Sequence, residues 1–238
     1  MIVAIVQARV GSTRFPRKVL TDISGATMLE RVVERVREAR SVERVVVATT
    51  TATDDDAVEQ LCRRIGVACF RGSEEDVLDR YHAAAHEHGA SIVVRITSDC
   101  PLLDPALIDT VVDQVAGGCD YAANVVRTTY PDGLDVEAMT VAALDRAWRE
   151  AVRPHEREHV TPYLRDGGFR VGSVEETGRR DLGRLRWTVD EPEDLEFVRS
   201  VYERIPAGST SFEDVLALLE ENANKAAEIG RASCRERV

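Results

Sequence analysis

The sequence predicts an α/β fold: a Rossmann-like, mostly parallel sheet with helices on both faces. Short apolar runs typical of buried strands alternate with segments whose apolar residues recur every three or four positions, as on one helix face. This alternation implies right-handed crossovers between parallel strands. Ligands of such sheets bind at the carboxyl ends of the strands, so the first candidate loops follow Ala8, Thr49, Phe70 and Thr97.

Residues that start or stop helices, together with the apolar patterns, set the bounds of the predicted elements. Proline opens and glycine closes several helices, and Thr53 with the three aspartates after it is expected to cap the second one. The predicted strands are residues 2–8, 44–49, 67–70, 91–97, 121–126, 134–139, 169–174 and 186–189. The predicted helices are residues 29–36, 53–65, 74–88, 105–116, 141–151, 156–164 and 192–205.

Composition narrows the classes of function. The 238 residues carry a formal net charge of −11, so the chain is expected to repel nucleic-acid backbones and anionic membranes. Five scattered cysteines without a Cys-x-x-Cys pair, and an N-terminus without a signal-peptide pattern, predict a cytoplasmic protein with reduced thiols. Residues 228–238 resemble the translation of a sequencing adapter and are predicted to be a non-native tail.

A basic loop follows the first predicted strand. Residues 9–18 read RVGSTRFPRK, which places three arginines and a lysine beside one glycine and two hydroxyl groups. Gly11 permits a positive φ or a close backbone approach. Backbone amides, hydroxyl groups and several cations are what a triphosphate requires. The loop matches neither the Walker A nor the G-x-G-x-x-G motif. Its position after the first strand of a parallel sheet is what favours a triphosphate-binding loop over a basic loop that is merely solvated.

Two aspartates follow later predicted strands. Asp99 comes after strand 91–97, and Asp190 comes after strand 186–189. Both would lie among the same loops as the basic cluster, and Mg²⁺ prefers oxygen ligands that leave room for substrate phosphates. Asp99 and Asp190 are therefore candidate magnesium ligands, although each would also suit a turn or a helix start.

Histidines raise the possibility of zinc. The segment from His155 to His159 matches the H-E-x-x-H motif of zinc metalloproteases. Prolines on both sides of it and the lack of a third ligand nearby argue against a zinc site. His82 and His86 share one face of a predicted helix, but no thiolate or carboxylate accompanies them, so both are expected to be solvated.

Six segments together resemble one family. Residues 7–20 (QARVGSTRFPRKVL) are similar to the N-terminal signature of cytidylyltransferases that make CMP-sugars, above all the branch of spore-coat polysaccharide biosynthesis. The other five are FRGSEEDVLDRY (70–81), RITSDCPL (95–102), PDGLDVE (131–137), REHVTPY (157–163) and TVDEPEDL (188–195). The likeness spans residues 2 to about 204 and keeps the order of the family.

The resemblance implies a fold, an activity and site residues. It implies one nucleotidyltransferase domain over residues 1–227, with the nucleotide-diphospho-sugar transferase (GT-A-like) fold, which as a homodimer moves CMP from CTP to a sugar. The CTP site would comprise Ala8, Arg9, Gly11, Ser12, Thr13, Arg14 and Lys18. The catalytic residues would be Arg14, Lys18 and Asp99, with Mg²⁺ bound by Asp99 and Asp190. The acceptor would meet Asp132, Gly133, Asp135, Glu137 and His159.

The sequence departs from the family pattern in the basic loop, and three other functions stay open. Arg17 stands where a glycine is common, and an arginine there would disturb the loop if the position needs a positive φ. A GT-A-type glycosyltransferase would usually carry an Asp-x-Asp pair, which is absent after Asp99. A zinc hydrolase would use His155, Glu156 and His159, and a non-catalytic regulator would bind CTP without releasing pyrophosphate. The residues do not identify the acceptor, for which a sugar acid or a sugar phosphate would fit.

Overall fold

The computed structural model of the chain describes residues 1–178, 182–206, 208–209 and 211–221. Its strands are β1 (Ile2–Gln7), β2 (Asp22–Ile23), β3 (Ala26–Thr27), β4 (Arg44–Thr50), β5 (Ala68–Gly72), β6 (Ile92–Thr97), β7 (Tyr121–Ala123), β8 (Glu137–Thr140) and β9 (Val171–Ser173). Its helices are α1 (Met28–Arg37), α2 (Asp56–Arg64), α3 (Val77–Glu87), α4 (Pro105–Ala116), α5 (Val141–Glu150), α6 (Pro154–His159), α7 (Pro162–Asp166) and α8 (Pro192–Tyr202). Residues 212–221 are helical as well.

The central sheet has seven strands in the order β5-β4-β1-β6-β8-β7-β9. The first four are parallel to one another, whereas β8 runs antiparallel to β6 and β7, and β9 is parallel to β7. The chain builds outward from β1 through β4 to β5 and then returns to place β6 on the other side of β1. This reversal opens a crevice at the carboxyl ends of β1 and β6. The predicted mostly parallel α/β sheet is confirmed.

Apolar side chains fill both faces of the sheet. Alternate residues of β1 point to opposite faces, as the period of a strand requires. Ala4 and Val6 belong to the apolar cluster that includes α1 and α4, while Val3 and Ile5 belong to the cluster that includes α3 and α5. All four side chains are fully buried. The sheet is therefore covered by helices on both sides, and its strand ends are the places left open for a site.

The start of α3 and the start of α2 differ from their predicted positions. Helix α3 begins at Val77 rather than at residue 74, because Asp76 accepts a hydrogen bond from the backbone N–H of Asp79 at 2.9 Å and caps the helix. The predicted cap at Thr53 is wrong. Residues 53–55 form a 3₁₀ turn without a side-chain cap, and α2 begins after it at Asp56.

Two predicted elements of the second half also differ. The helix expected over residues 156–164 is two short helices, because Val160 adopts a φ of 69° and Pro162 opens α7. Residues 186–189 form no strand; a single bridge joins Asp132 to Arg186. Irregular backbone at this position leaves Val189 and Asp190 next to the end of β6, where they can contribute to the site.

The C-terminal tail and the cysteines were also the subject of predictions. The predicted tail, residues 228–238, lies outside the described residues, and so does Cys234. Cys62, Cys69, Cys100 and Cys119 are free thiols. No helix among the described residues combines the length and the apolar character needed to span a membrane. The single domain over residues 1–227 stays a prediction.

Candidate active site

A cavity of about 440 Å³ opens at the carboxyl ends of β1 and β6. Its wall is formed by the loop after β1, the start of α3, the end of β6 and the end of α6. It includes all the residues predicted for CTP, namely Ala8, Arg9, Gly11, Ser12, Thr13, Arg14 and Lys18. It also includes Asp99, Asp190 and His159. The structure thus brings the predicted nucleotide and metal residues together, with one of the predicted acceptor residues.

The loop after β1, residues 8–18, starts from a buried anchor. The backbone N–H of Val10 donates to Asp55 Oδ1 at 2.8 Å, and Thr50 Oγ1 at the end of β4 donates to the other oxygen of Asp55. Asp55 is 2% exposed. This carboxylate therefore ties the loop to the neighbouring strand. The sequence indicates only a helix-start role for Asp55, because no local pattern shows that Val10 and Thr50 lie beside it.

Beyond the anchor, the loop offers unpaired donors. Among the described residues, the backbone N–H groups of Gly11, Thr13 and Arg14 have no protein acceptor. Gly11 does not adopt a positive φ, and a Cβ added to it would meet no atom within 4 Å. A positive φ is therefore not the reason for this glycine, and the open space beside it leaves room for a ligand to approach the backbone. Several N–H groups beside open space form the kind of concave donor set that binds anions.

Arg17 holds the loop in a left-handed conformation. Its φ is 60° and its ψ is 20°, in the region that favours glycine. Its backbone N–H donates to the carbonyl oxygen of Val10 at 3.0 Å and closes the loop. The positive φ considered from the family pattern is present, and here an arginine adopts it.

Lys18 bridges the two predicted metal ligands. Its Nζ donates to Asp99 Oδ2 at 3.2 Å, to Asp190 Oδ1 at 3.0 Å and to the carbonyl oxygen of Val189 at 2.8 Å. The lysine side chain is only 12% exposed. An ammonium cation thus already lies where two carboxylates converge. Because these are oxygen donors of negative charge, the residues fit a hard divalent cation such as Mg²⁺.

Asp190 is surrounded by cations. Besides Lys18, it pairs with Arg14 at 3.1 Å and with Arg186 at 3.0 Å. Burial raises the pKa of Asp190, but the hydrogen bond and charge of Lys18, followed by the two arginines, outweigh it and hold that pKa below its ordinary value. The carboxylate is therefore ionised at neutral pH, as a metal ligand must be.

The cavity wall also contains three buried polar atoms without a protein partner. They are Gln7 Oε1, Arg80 Nε and Arg95 Nε. A buried polar group left unpaired costs about 1–3 kcal/mol, so these three atoms destabilise the wall as it stands. No role was assigned to these residues from the sequence. The available signal was Arg95, the charged residue of the mostly apolar strand β6.

Glu137 lies behind the cavity and not in its wall. It is 3% exposed and pairs with Arg95. It also accepts hydrogen bonds from the hydroxyl groups of Tyr121 at 2.6 Å and Thr161 at 2.7 Å, and from Arg165 at 2.9 Å. Burial raises the pKa of Glu137, but Arg95 and the hydrogen bonds lower it overall. Direct contact with an acceptor is not supported, because protein atoms occupy both oxygens; Glu137 positions Arg95.

The other predicted acceptor residues of residues 131–137 also stay out of the cavity wall. Gly133 has a φ of 104°, and a Cβ on it would lie 2.4 Å from the backbone nitrogen of Thr188, so this glycine allows two backbone segments to touch. Asp132 faces Arg186 at 3.6 Å. Burial raises the pKa of Asp135 to about 6, and nearby acidic groups add to the rise. Gly133 thus serves backbone packing, and acceptor contact by Asp132 and Asp135 stays a prediction.

The H-E-x-x-H segment does not form a zinc site. Helix α6 has six residues, and the carboxylate of Glu156 accepts hydrogen bonds from the backbone N–H of Arg153 at 2.9 Å and from its guanidinium at 2.8 and 2.6 Å. No third ligand joins His155 and His159 in the part of the chain that the structure describes. His159 lies in the cavity wall with Glu158, in keeping with the acceptor side that the family resemblance implies.

Known proteins match the chain over nearly its whole length. A family profile described as cytidylyltransferase matches residues 3–223. The spore coat polysaccharide biosynthesis protein SpsF of Bacillus subtilis is 33% identical over 237 residues, covering 95% of this chain and 97% of that protein. The 3-deoxy-manno-octulosonate cytidylyltransferase of Chlamydia trachomatis serovar A is 31% identical over 232 residues, covering 87% of each. A solved cytidylyltransferase from Leptospira borgpetersenii has a TM-score of 0.88 at 32% identity, covering 94% of this chain and 95% of that one.

Proposed function

The chain belongs to the cytidylyltransferase family, and from that premise we propose that it transfers CMP from CTP to a hydroxyl group of a sugar acid, with release of pyrophosphate, in polysaccharide biosynthesis. The family resemblance predicted from six sequence segments is confirmed, and so is the nucleotide-diphospho-sugar transferase fold. The choice of a sugar acid as the acceptor class is supported by the octulosonate cytidylyltransferase relative.

The loop after β1 carries the proposal. It combines unpaired N–H groups, open space at Gly11 and cationic side chains in one wall of the cavity. Although the chain has a net charge of −11, five cationic side chains line the cavity: Arg9, Arg14, Lys18, Arg80 and Arg95. The wall also carries five carboxylates, of Glu74, Glu75, Asp99, Glu158 and Asp190, so the donors and cations are concentrated at the loop and not over the whole cavity. A loop with such donors favours the phosphate groups of a nucleoside triphosphate.

Within the proposal, the loop binds the triphosphate. The N–H groups of Gly11 and Thr13 and the hydroxyl groups of Ser12 and Thr13 would donate to phosphate oxygens. Arg14 is 61% exposed at its side chain, and Asp190 would keep Lys18 and Arg186 as partners if Arg14 turned to a phosphate group. Charge-assisted hydrogen bonds of this kind are stronger than neutral ones.

Asp99 and Asp190 would hold Mg²⁺. When bound, the cation supplies a Lewis acid that neutralises charge on phosphate oxygens. Lys18 donates to both carboxylates in this structure. Once another cation neutralises them, Lys18 is available to donate to a phosphate oxygen from the same position in the cavity wall.

The proposed chemical step is an in-line displacement at the α-phosphorus of CTP. The acceptor oxygen forms a bond to that phosphorus, the bond to the bridging oxygen of the β-phosphate breaks, pyrophosphate leaves, and the hydroxyl proton passes to solvent. The protein has to position both substrates and neutralise charge. Arg14 and Lys18 would stabilise the pyrophosphate, and Arg80 and Arg95 would pair with the carboxylate of the acceptor.

The test combines binding and turnover. Melting curves are measured with CTP, UTP, ATP and GTP, each with and without Mg²⁺. Pyrophosphate release is then measured with CTP and a panel of sugar acids and sugar phosphates. We expect CTP with Mg²⁺ to stabilise most, by about 2.7 kcal/mol at 100 times its dissociation constant. Absence of a shift with every nucleotide, together with no pyrophosphate release from any acceptor, would contradict the proposal.

We further propose a homodimer that works in the cytoplasm, as the family resemblance implies. Light scattering on the purified chain tests the assembly, and a mass of one chain at micromolar concentration would contradict it. Membership of the cytidylyltransferase family favours nucleotidyl transfer over glycosyl transfer, and pyrophosphate release separates the enzyme from a regulator that only binds CTP.

A further inference from the structure

Two histidines of α3 and an aspartate of α5 meet outside the cavity. His82 Nε2 lies 3.0 Å from Asp145 Oδ1, and His86 Nε2 lies 2.6 Å from the same oxygen. The three ligand atoms all lie within 4.8 Å of one another. The expectation that these histidines are simply solvated is wrong, because α5 packs against α3 and supplies a carboxylate that is distant in the sequence.

The donor atoms have the types and spacing of a transition-metal site. Zinc-class ions bind imidazole nitrogen and carboxylate oxygen at about 2.0–2.2 Å. Ligand atoms at the corners of such a tetrahedron are about 3.3 Å apart, which follows from these bond lengths. The two nitrogen–oxygen distances, 3.0 and 2.6 Å, lie within several tenths of an ångström of that value. Small side-chain rotations would therefore admit an ion between the three atoms.

The same three atoms can bind an ion if the rings change tautomer. A neutral imidazole that carries its proton on Nδ1 leaves the lone pair of Nε2 free for a metal ion, beside the lone pairs of the Asp145 carboxylate. The side chain of His86 is 50% exposed, so water can complete the coordination from the open side.

Trp148 of α5 holds one of the ligands in place. Its ring stacks on that of His82, with centroids 4.3 Å apart and an interplanar angle of 8°. Its indole N–H donates to Asp79 Oδ1 of α3 at 2.8 Å. Contacts that fix the plane of a ligating imidazole are a regular feature of metal sites, because they reduce the ordering that binding requires.

We propose that His82, His86 and Asp145 bind a divalent transition-metal ion of the zinc class and that the ion fastens α5 to α3. None of the three residues lines the cavity, whereas Val77 and Arg80, which belong to α3 like the two histidines, do. A bound ion would thus stabilise a helix that forms part of the cavity wall without contacting the substrates. The inference is independent of the proposed function.

The test uses the full, tag-free chain and metal ions alone as probes. After treatment with a chelator, the chain is titrated with Zn²⁺, and with Co²⁺ for its visible absorption. We expect about one ion per chain by elemental analysis, a higher melting temperature, and a change in tryptophan fluorescence. Trp148→Phe should remove the fluorescence change and keep the bound ion, because only one of the chain's two tryptophans stacks on a ligand.

Ligand variants locate the ion. His86→Ala and Asp145→Asn should each weaken Zn²⁺ binding on the order of 100-fold, since losing even a supporting contact costs about 10–100-fold. Both are compared with the wild type in chelator to confirm that they fold. His155→Ala is the matched control, an exposed histidine outside the cluster, and Asp99→Asn controls for the carboxylates of the cavity. Both controls should bind Zn²⁺ as the wild type does.

Three outcomes would overturn the proposal. One is a wild-type chain that retains no Zn²⁺ and shows no shift in melting temperature. Another is unchanged Zn²⁺ binding in both His86→Ala and Asp145→Asn. If Asp99→Asn alone abolished the response, the ion would belong to the cavity and the assignment to α3 and α5 would be wrong.

Discussion

The loop after β1 and the segment of residues 131–137 satisfy their polar groups in opposite ways. In the loop, N–H groups of Gly11 and Thr13 have no acceptor among the described residues. In the segment, both oxygens of Glu137 are occupied by protein groups, and Gly133 is pressed against the backbone of residues 187–188. The difference suggests two roles. Unpaired groups are available to bind a ligand, whereas paired groups hold other residues in position. Substitutions should therefore cost function in the first region and stability in the second.

The largest effect is expected for Glu137→Gln. Removing the charge leaves Arg95 buried without its counter-ion, which should lower the free energy of unfolding by about 3–5 kcal/mol. Because the pKa of Glu137 in the folded state lies below its ordinary value, its contribution is present above about pH 4.5 and is lost as the pH falls further. Urea unfolding at pH 7 and at pH 4 measures both effects.

Glu150→Gln is the control for this measurement. Glu150 pairs with Arg146 and accepts a hydrogen bond from the Tyr163 hydroxyl in an exposed position, so its loss should cost far less stability than the loss of Glu137. If Glu137→Gln lost no more than Glu150→Gln, the buried network would not support the fold. The proposed contrast between the segment and the loop would then fail.

The second effect belongs to the cavity. Asp99→Asn should lower turnover about 100-fold or more, roughly 3 kcal/mol of transition-state stabilisation, because the carboxylate charge proposed to hold Mg²⁺ is lost. Its free energy of unfolding should stay within about 1 kcal/mol of the wild type. Pyrophosphate release at limiting Mg²⁺, beside urea unfolding, separates the two quantities. Exposed Asp113→Asn on α4 is the control, and wild-type turnover in Asp99→Asn would remove Asp99 from the site.

The two regions also explain how far sequence could predict the site. The loop was predicted because its signal is local: one strand is followed directly by its cations, hydroxyl groups and glycine. The mostly parallel sheet with helices on both faces followed from the same kind of periodic pattern. By contrast, the burial of Glu137 depends on Arg95, Tyr121 and Arg165, which come from three separate elements. Only packing brings them together.

Other omissions have the same physical cause. Asp55 anchors the loop through Val10, 45 residues away, and Asp145 completes a cluster with histidines of another helix. A local pattern contains no information on such pairs. The bounds of α3 and α6 were missed for a smaller reason, since the cap at Asp76 and the left-handed Val160 interrupt apolar patterns that look continuous.

A third prediction tests the cost of a buried acid in the supporting segment. The pKa of Asp135 is raised by burial to about 6, so the folded state binds the proton more tightly than the unfolded state does. Stability should therefore fall as the pH rises from about 4 to 6, and the full cost should be present above pH 6. Asp135→Asn should be more stable than the wild type by about 1–3 kcal/mol at pH 7.5 and equal to it near pH 4.

Urea unfolding in the presence of a chelator measures this difference, because a bound cation would change the local charge. Asp113→Asn, exposed on α4, should show no such dependence on pH. A parallel pH profile for Asp135→Asn and the wild type would mean that Asp135 is hydrated in solution. The supporting segment would then be more open than its contacts indicate.

The smallest effect is expected where the loop itself is strained. Arg17 adopts a φ of 60°, which costs a residue with a Cβ about 1–2 kcal/mol, whereas glycine adds about 0.5–1 kcal/mol of entropy to the unfolded chain. Arg17→Gly should thus raise the free energy of unfolding by about 1 kcal/mol or less. Its exposed side chain is not part of the cavity wall, so turnover should change little.

Ser24→Gly is the matched control for Arg17→Gly, because Ser24 has a φ of 51° in the turn between β2 and β3 and lies outside the cavity wall. Equal gains in stability, with unchanged affinity for CTP in both variants, would show that Arg17 is merely tolerated. A loss of CTP affinity in Arg17→Gly alone would instead show that its rigid backbone holds the N–H groups of Gly11 and Thr13 ready. In that case the loop itself would contain both residues that bind the ligand and a residue, Arg17, that holds them in position.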